Sequence, residues 1–170
     1  PVFPNLRLSI FFSQERALMV EFRSYSINKQ KVMLIKTHFI PGSPSIAFDE
    51  TGDGPPILFL HGIGGNRTNW HKQLLACADS YWSIAWDARG YGDSDDYQGT
   101  LNFGAFADDV IRLLDYLGLA KINLVGLSMG GRIAQDFYFR YPDRVSTLVL
   151  CDTFPGTTPT LNSKEREAFI

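Results

Sequence analysis

Residues 121–132 restrict the possible folds of this chain more than any other stretch. A short apolar run ends at a serine held between glycines, and an amphipathic pattern begins directly behind it. Residues 121–125 are short, β-rich and bounded by turns, which predicts a buried strand. From Met129 to Tyr141 the apolar Ile133, Ala134, Phe137 and Tyr138 recur at spacings of one, three and four, which predicts a helix. Between the two, Gly126-Leu127-Ser128-Met129-Gly130 fits the pattern G-x-S-x-G. A serine on so tight a strand-to-helix turn is forced into a strained backbone conformation, and the glycines two residues to either side let strand and helix approach closely enough to permit it. The expected result is a hydroxyl exposed at the carboxyl end of a sheet. Free backbone N–H groups and the positive end of the helix dipole face the same spot, so an oxyanion formed there would be stabilised.

The rest of the chain is punctuated to match. Strands are expected over residues 34–40 and 45–49, as a hairpin-like opening, and then over 57–60, 83–86 and 145–151. A helix capped by Thr68 or Asn69 should run to about Ala78, with Trp70, Leu74 and Leu75 on its buried face. Residues 102–117 form the clearest helix, with Phe106, Val110, Leu113, Leu114 and Leu117 on one face and Gly118 as the stop. Strands alternating with helices predict an α/β fold, a mostly parallel sheet with helices on both faces. With 170 residues, 45% of them hydrophobic, the chain can build one core but not two of ordinary size. The net charge of -2 and a pI near 5.9, without a basic stripe, argue against nucleic acid and anionic membranes as partners. No apolar run approaches the length that spans a bilayer. Cys77 and Cys151 lie far apart in apolar surroundings without metal-like spacing, so they read as buried free thiols in a reducing, cytoplasmic setting; neither a metal nor an organic cofactor is expected. The Asp87-Ala88-Arg89-Gly90 turn reads as structural, fixed by a buried Asp–Arg pairing.

Three motifs carry a resemblance: Leu60-His61-Gly62, the turn from Trp86 through Asp87, Gly90 and Gly92 to Ser94, and Gly126-Leu127-Ser128-Met129-Gly130-Gly131. In these, over roughly residues 45 to 152, the sequence resembles the α/β-hydrolase family, in its esterase and 3-oxoadipate enol-lactonase-like branch. The resemblance implies the α/β-hydrolase fold and a serine hydrolase acting on a small ester or lactone through an acyl-enzyme. It implies Ser128 as the nucleophile and the backbone N–H groups of Ile63 and Met129 as the oxyanion hole. His61, Gly62, Gly126 and Gly130 support the motifs. Asp152, at the end of the strand after the elbow helix, is the candidate acid, because some family members carry the triad acid there; more carry it one strand later.

In this family the order is serine, acid, histidine, whereas His38, His61 and His71 all precede Ser128. The expectation is therefore an N-terminal part of a longer enzyme, inactive by itself and truncated after about the sixth strand. Residues 33–152 would form the core, and 153–170 would begin a lid, with a last helix opening at Asn162 or Ser163. The outer edge of residues 145–151 would be left open. Residues 1–32 match nothing in the family pattern; they start at Pro1, while Met33 stands where family members usually begin, which suggests an extension. Periodicity alone equally allows an extra strand pair covering a sheet edge. Two other functions stay open: a non-enzymatic ligand-binding protein on the same fold, and a phosphate cradle at residues 62–67, which however lacks the third glycine of the dinucleotide fingerprint.

Overall fold

Alternating apolar runs and amphipathic segments fold into a layered sheet in the computed structural model, which describes residues 8–11, 33–100 and 102–155. The strands are β1 (Leu8–Phe11), β2 (Lys36–Ile40), β3 (Ile46–Thr51), β4 (Pro56–Leu60), β5 (Trp82–Trp86), β6 (Ile122–Leu127) and β7 (Val145–Cys151). The helices are α1 (His71–Cys77), α2 (Phe103–Tyr116) and α3 (Met129–Arg140), with short 3-10 turns at Arg67–Trp70 and Pro142–Arg144. Among the described residues the sheet order is β1-β7-β6-β4-β5-β3-β2. The pairs from β1 through β5 are parallel, and β3 joins β5 and β2 antiparallel. The expected hairpin-like opening, parallel centre and helices on both faces are all present.

A parallel sheet is apolar on both faces, and its side chains alternate between them. Leu58, Leu124 and Leu148 face one core, filled by Phe106, Val110 and Leu114 of α2 and by Ile133 and Phe137 of α3. Their neighbours Phe59 and Val125 face a second, smaller core with Leu74 of α1 and Trp70. α2 forms where the sequence places it because its ends are fixed locally. The Asn102 side chain accepts a hydrogen bond from Ala105 N–H at 2.9 Å, and Gly118 takes the left-handed conformation, φ 68°, just past the end. Leu113 is fully buried. Truncating such a leucine to alanine costs about 2–5 kcal/mol.

Three expectations are corrected. Leu75 of α1 does not lie on its buried face but is 46% exposed. The helix α1 is not capped by Thr68 or Asn69: it follows Trp70 without a side-chain cap, and the cap is Asn66, at the start of the 3-10 turn that leads into it. The Asn66 carboxamide oxygen accepts from Thr68 N–H at 2.9 Å, and the Asn69 side chain reciprocally accepts from Asn66 N–H at 2.7 Å. This capping box satisfies donors that a later cap would leave orphaned. The outer edge of β7 is not open, because β1 pairs with it in parallel from Leu8 against Leu148 to Phe11 against Cys151. Part of the segment expected as an extension thus adds a strand to the sheet, and unpaired ladder groups on β7 are satisfied there. The helix expected from Asn162 or Ser163 lies outside the described residues. Among those described, no helix is long and apolar enough to cross a membrane.

Candidate active site

Ser128 stands between the last residue of β6 and the first of α3, with φ 51° and ψ −112°. Only it and Asp152 among the described non-glycine residues have positive φ. This is the strained elbow that the G-x-S-x-G spacing predicts. Packing explains the glycines. A Cβ at Gly126 would lie 2.4 Å from the Gly130 carbonyl oxygen, and one at Gly130 only 2.2 Å from that of Leu60. The first turn of α3 is therefore pressed against the ends of β6 and β4 with no room for a methyl group. Met129 opens α3, so its N–H has no partner within the helix. Its side chain is buried, and the sulfur receives the Tyr91 hydroxyl at 3.6 Å.

The loop leaving β4 lies against the elbow, since a Cβ at Gly62 would be 3.3 Å from that of Ser128. Ile63, next in the loop, is 79% exposed. A cleft of about 260 Å³ opens here, lined by Gly62, Ile63, Trp70 and Leu127 among others. His61 is buried beneath the loop. Its Nε2 lies 3.1 Å from the Ala88 N–H, which can only donate, so Nε2 is the acceptor. The ring proton therefore sits on Nδ1 and is donated to the Gly62 carbonyl at 2.8 Å. Burial lowers the His61 pKa, outweighing the opposing pull of the Gly62 carbonyl and Asp87. Both nitrogens are engaged and the neutral ring is favoured, so His61 orders the loop and has no free lone pair to act as a base.

The loop is tied down by a group that sequence reading overlooked. Arg67, 8% exposed, places its guanidinium among three carboxylates: Asp49 at 3.0 Å, Asp93 at 2.5 Å, and Asp87 in a short ion pair. Its backbone N–H also donates to Asp87 at 2.6 Å, and Asp93 N–H donates to the other Asp87 oxygen at 2.8 Å. Asp87 is thus structural, as expected, but its partner is Arg67 and not Arg89. Arg89 pairs instead with Asp109 of α2 at 2.6 and 2.8 Å. No periodicity marks Arg67; the only clue in the sequence is its place two residues after the last glycine of the loop.

The other candidates are placed as follows. Asp152, with φ 44°, is exposed where the chain leaves β7, and its neighbour Cys151 accepts the Ser128 N–H at 2.9 Å. The strand-end placement next to the elbow is therefore present. Thr153, not singled out from sequence, donates its hydroxyl to the Ser128 carbonyl at 2.8 Å. His71 bonds Asp49 at 2.6 Å, and His38 stacks on Phe48 near Glu50 at the far side of the sheet. None of the three histidines of the chain is available to Ser128. Cys77 and Cys151 are free and half-buried, and burial raises the pKa of each, so both are held as thiols. The described residues hold no cluster of three or more candidate metal ligands.

A family model described as alpha/beta hydrolase fold matches residues 55–169. An uncharacterized protein of Mycobacterium tuberculosis is 35% identical over 116 residues, covering 68% of this chain and 34% of that protein. 3-Oxoadipate enol-lactonase 2 of Acinetobacter baylyi is 32% identical over 101 residues, 59% of this chain and 38% of the enzyme. Among solved structures, E-2-(acetamidomethylene)succinate hydrolase superposes with a TM-score of 0.70 at 29% identity, covering 79% of this chain and 49% of that one. The chain spans about a third of the length of the curated relatives it matches.

Proposed function

The chain belongs to the alpha/beta-hydrolase family, and on that premise we propose that it carries the nucleophile and oxyanion-binding part of a serine hydrolase acting on a small ester or lactone. The observation that carries the reading is Ser128 itself, held at φ 51° between β6 and α3 with the Gly62 loop packed against it. A residue in that backbone conformation is costly to keep and is typically retained where its side chain must be presented. Ser128 Oγ would attack the substrate carbonyl, and the N–H groups of Ile63 and Met129 would receive the charge that develops on its oxygen. Expulsion of the alcohol would leave an acyl-enzyme, and water would release the acid in a second attack. Each oxyanion donor of this kind contributes about 10²–10³ in kcat.

A serine hydroxyl needs a general base. Since His38, His61 and His71 are all otherwise engaged, the reading assigns the base to a histidine outside these 170 residues, and the acid to Asp152 or to a carboxylate one strand later. The chain alone is then expected to be catalytically silent, because loss of one triad member lowers rates by about 10⁴–10⁶. In the full-length protein, p-nitrophenyl acetate hydrolysis should disappear in Ser128→Ala, and a fluorophosphonate should label Ser128. The cleft beside the elbow, lined by Ile63, Trp70 and Leu127, also fits a second reading, a ligand-binding protein that uses this cleft without turnover. Full-length protein that neither hydrolyses the ester nor accepts the label would decide for that second reading.

A further inference from the structure

The two non-glycine residues with positive φ, Ser128 and Asp152, are fastened to each other's surroundings. Ser128 N–H donates to the Cys151 carbonyl at 2.9 Å, and the Thr153 hydroxyl donates to the Ser128 carbonyl at 2.8 Å. Both peptide groups flanking the strained serine are thus held by one three-residue segment. The left-handed turn at Asp152 lets the carbonyl before it and the hydroxyl after it converge on a single residue. One step further, the Phe154 carbonyl accepts from Gln135 Nε2 of α3 at 3.1 Å. The seam is packed as well as bonded, since a Cβ at Gly131 would lie 2.6 Å from Thr153 Cβ and Cγ2. Threonine is β-branched and stiff about χ1, so seating its methyl against Gly131 also aims its hydroxyl. An ordinary first turn of helix would leave the Ser128 carbonyl with one partner, Arg132 N–H at 3.1 Å; here it has two.

We propose that Thr153 is a positioning residue for Ser128, its hydroxyl holding the elbow peptide at the angle that directs Oγ toward the cleft. For its kinetic consequence this rests on Ser128 being the nucleophile; the backbone clamp does not. Loss of the hydroxyl frees the elbow to relax toward ordinary helix, which moves the attacking oxygen while leaving the apolar cleft, and so substrate binding, in place.

The test compares Thr153→Val, which keeps the branched shape and loses the donor, with Thr153→Ser, which keeps the donor. In the 170-residue chain, amide hydrogen exchange at residues 128–132 should accelerate roughly three- to tenfold in Thr153→Val, the change expected for one hydrogen bond. Amides of α2 should be unaffected, and Thr153→Ser should exchange like the parent. In the full-length protein, kcat for p-nitrophenyl acetate should fall roughly tenfold in Thr153→Val with KM within about twofold, because a misdirected nucleophile loses transition-state but not ground-state interaction. Unchanged exchange at 128–132, or equal acceleration in α2, would overturn the clamp. Expected exchange together with an unaltered kcat would overturn the positioning role. A full-length Ser128→Ala that hydrolyses as fast as its parent would refute the nucleophile reading and the positioning role with it, leaving the exchange result to stand for the clamp alone.

Discussion

Replacing Arg67 with methionine should destabilise this fold more than any other single change to a charged side chain. Arg67 neutralises Asp87 and Asp49, which are 0% and 2% exposed, together with the more open Asp93. Methionine fills much of the same volume but leaves two buried carboxylates without a cation. Breaking a buried ion pair from one side costs about 3–5 kcal/mol. Some support survives, because Asp87 keeps the N–H groups of residues 67 and 93 and Asp49 keeps Thr37 and His71. The lower end, roughly 3 kcal/mol, is therefore expected, equivalent to a fall in Tm of roughly 6–12 °C for a domain of this size. Urea unfolding of parent and variant measures it. Adding Asp87→Asn to the variant should recover part of the loss, since it removes one of the orphaned charges. Acid provides a second signature. Without Arg67 the Asp49 carboxyl loses one of the partners that hold it down while burial still pushes it up, so its penalty is present above its pKa and relieved as the pH falls through it. A deficit below about 1 kcal/mol, the ordinary range of an exposed pair, would refute the reasoning, as would a deficit identical at pH 7 and pH 4.

Gly130→Ala places a methyl 2.2 Å from the Leu60 carbonyl oxygen, a backbone atom that cannot swing away; overpacking of this kind costs about 1–3 kcal/mol, readable as a lower urea midpoint. Asp49 is raised by burial but lowered further by Thr37, His71 and Arg67, so its folded pKa lies below 3.8. Its contribution is complete above that value and lost as the pH falls through the folded pKa, and Asp49→Asn should flatten the stability curve in that acid range. His61 should titrate below its ordinary 6.5 when followed by NMR. Its neutral form supports the fold fully above 6.5, and that support declines as the pH drops and the unfolded chain takes up the proton first. A His61 midpoint at or above 6.5 would contradict the dominance of burial over the Gly62 carbonyl and Asp87 at this ring.

What the sequence made legible was local. The elbow is written in five consecutive residues whose sterics leave one conformation, and α2 in a periodic face with Asn102 and Gly118 at its ends. Pairings across long separations were not legible. Asp87 could be seen to want a buried cation, yet Arg89, two residues on, was the natural guess, while the actual partner precedes it by 20 positions. Nothing in hydrophobic period or turn chemistry reports which distant loop a charge will meet. Thr153 escaped notice for the same reason, as a threonine in a loop rich in proline, glycine and threonine whose role exists only once β7 lies beside β6. The start of the helix after the glycine loop is ambiguous in sequence because Asn66, Thr68 and Asn69 are all competent caps, and only the folded loop brings Asn66 and Asn69 into their reciprocal bonds.

The strand order holds a last consequence. From β4 the chain steps outward to β5 through α1 on one face, then doubles back past β4 to β6 and on to β7 through α2 and α3 on the other. Because such crossovers are right-handed, the reversal of winding direction is what sends the helices to opposite sides. The connections leaving the adjacent strands β4 and β6 therefore part company, one to each face, and a gap must open between them at the carboxyl end. Leu127, next to Ser128, and the Gly62 loop are its two banks. The crevice is a property of the winding and not of its lining, so Ile63 or Leu127 could be exchanged to suit a different ligand without any change to the reason the crevice is there.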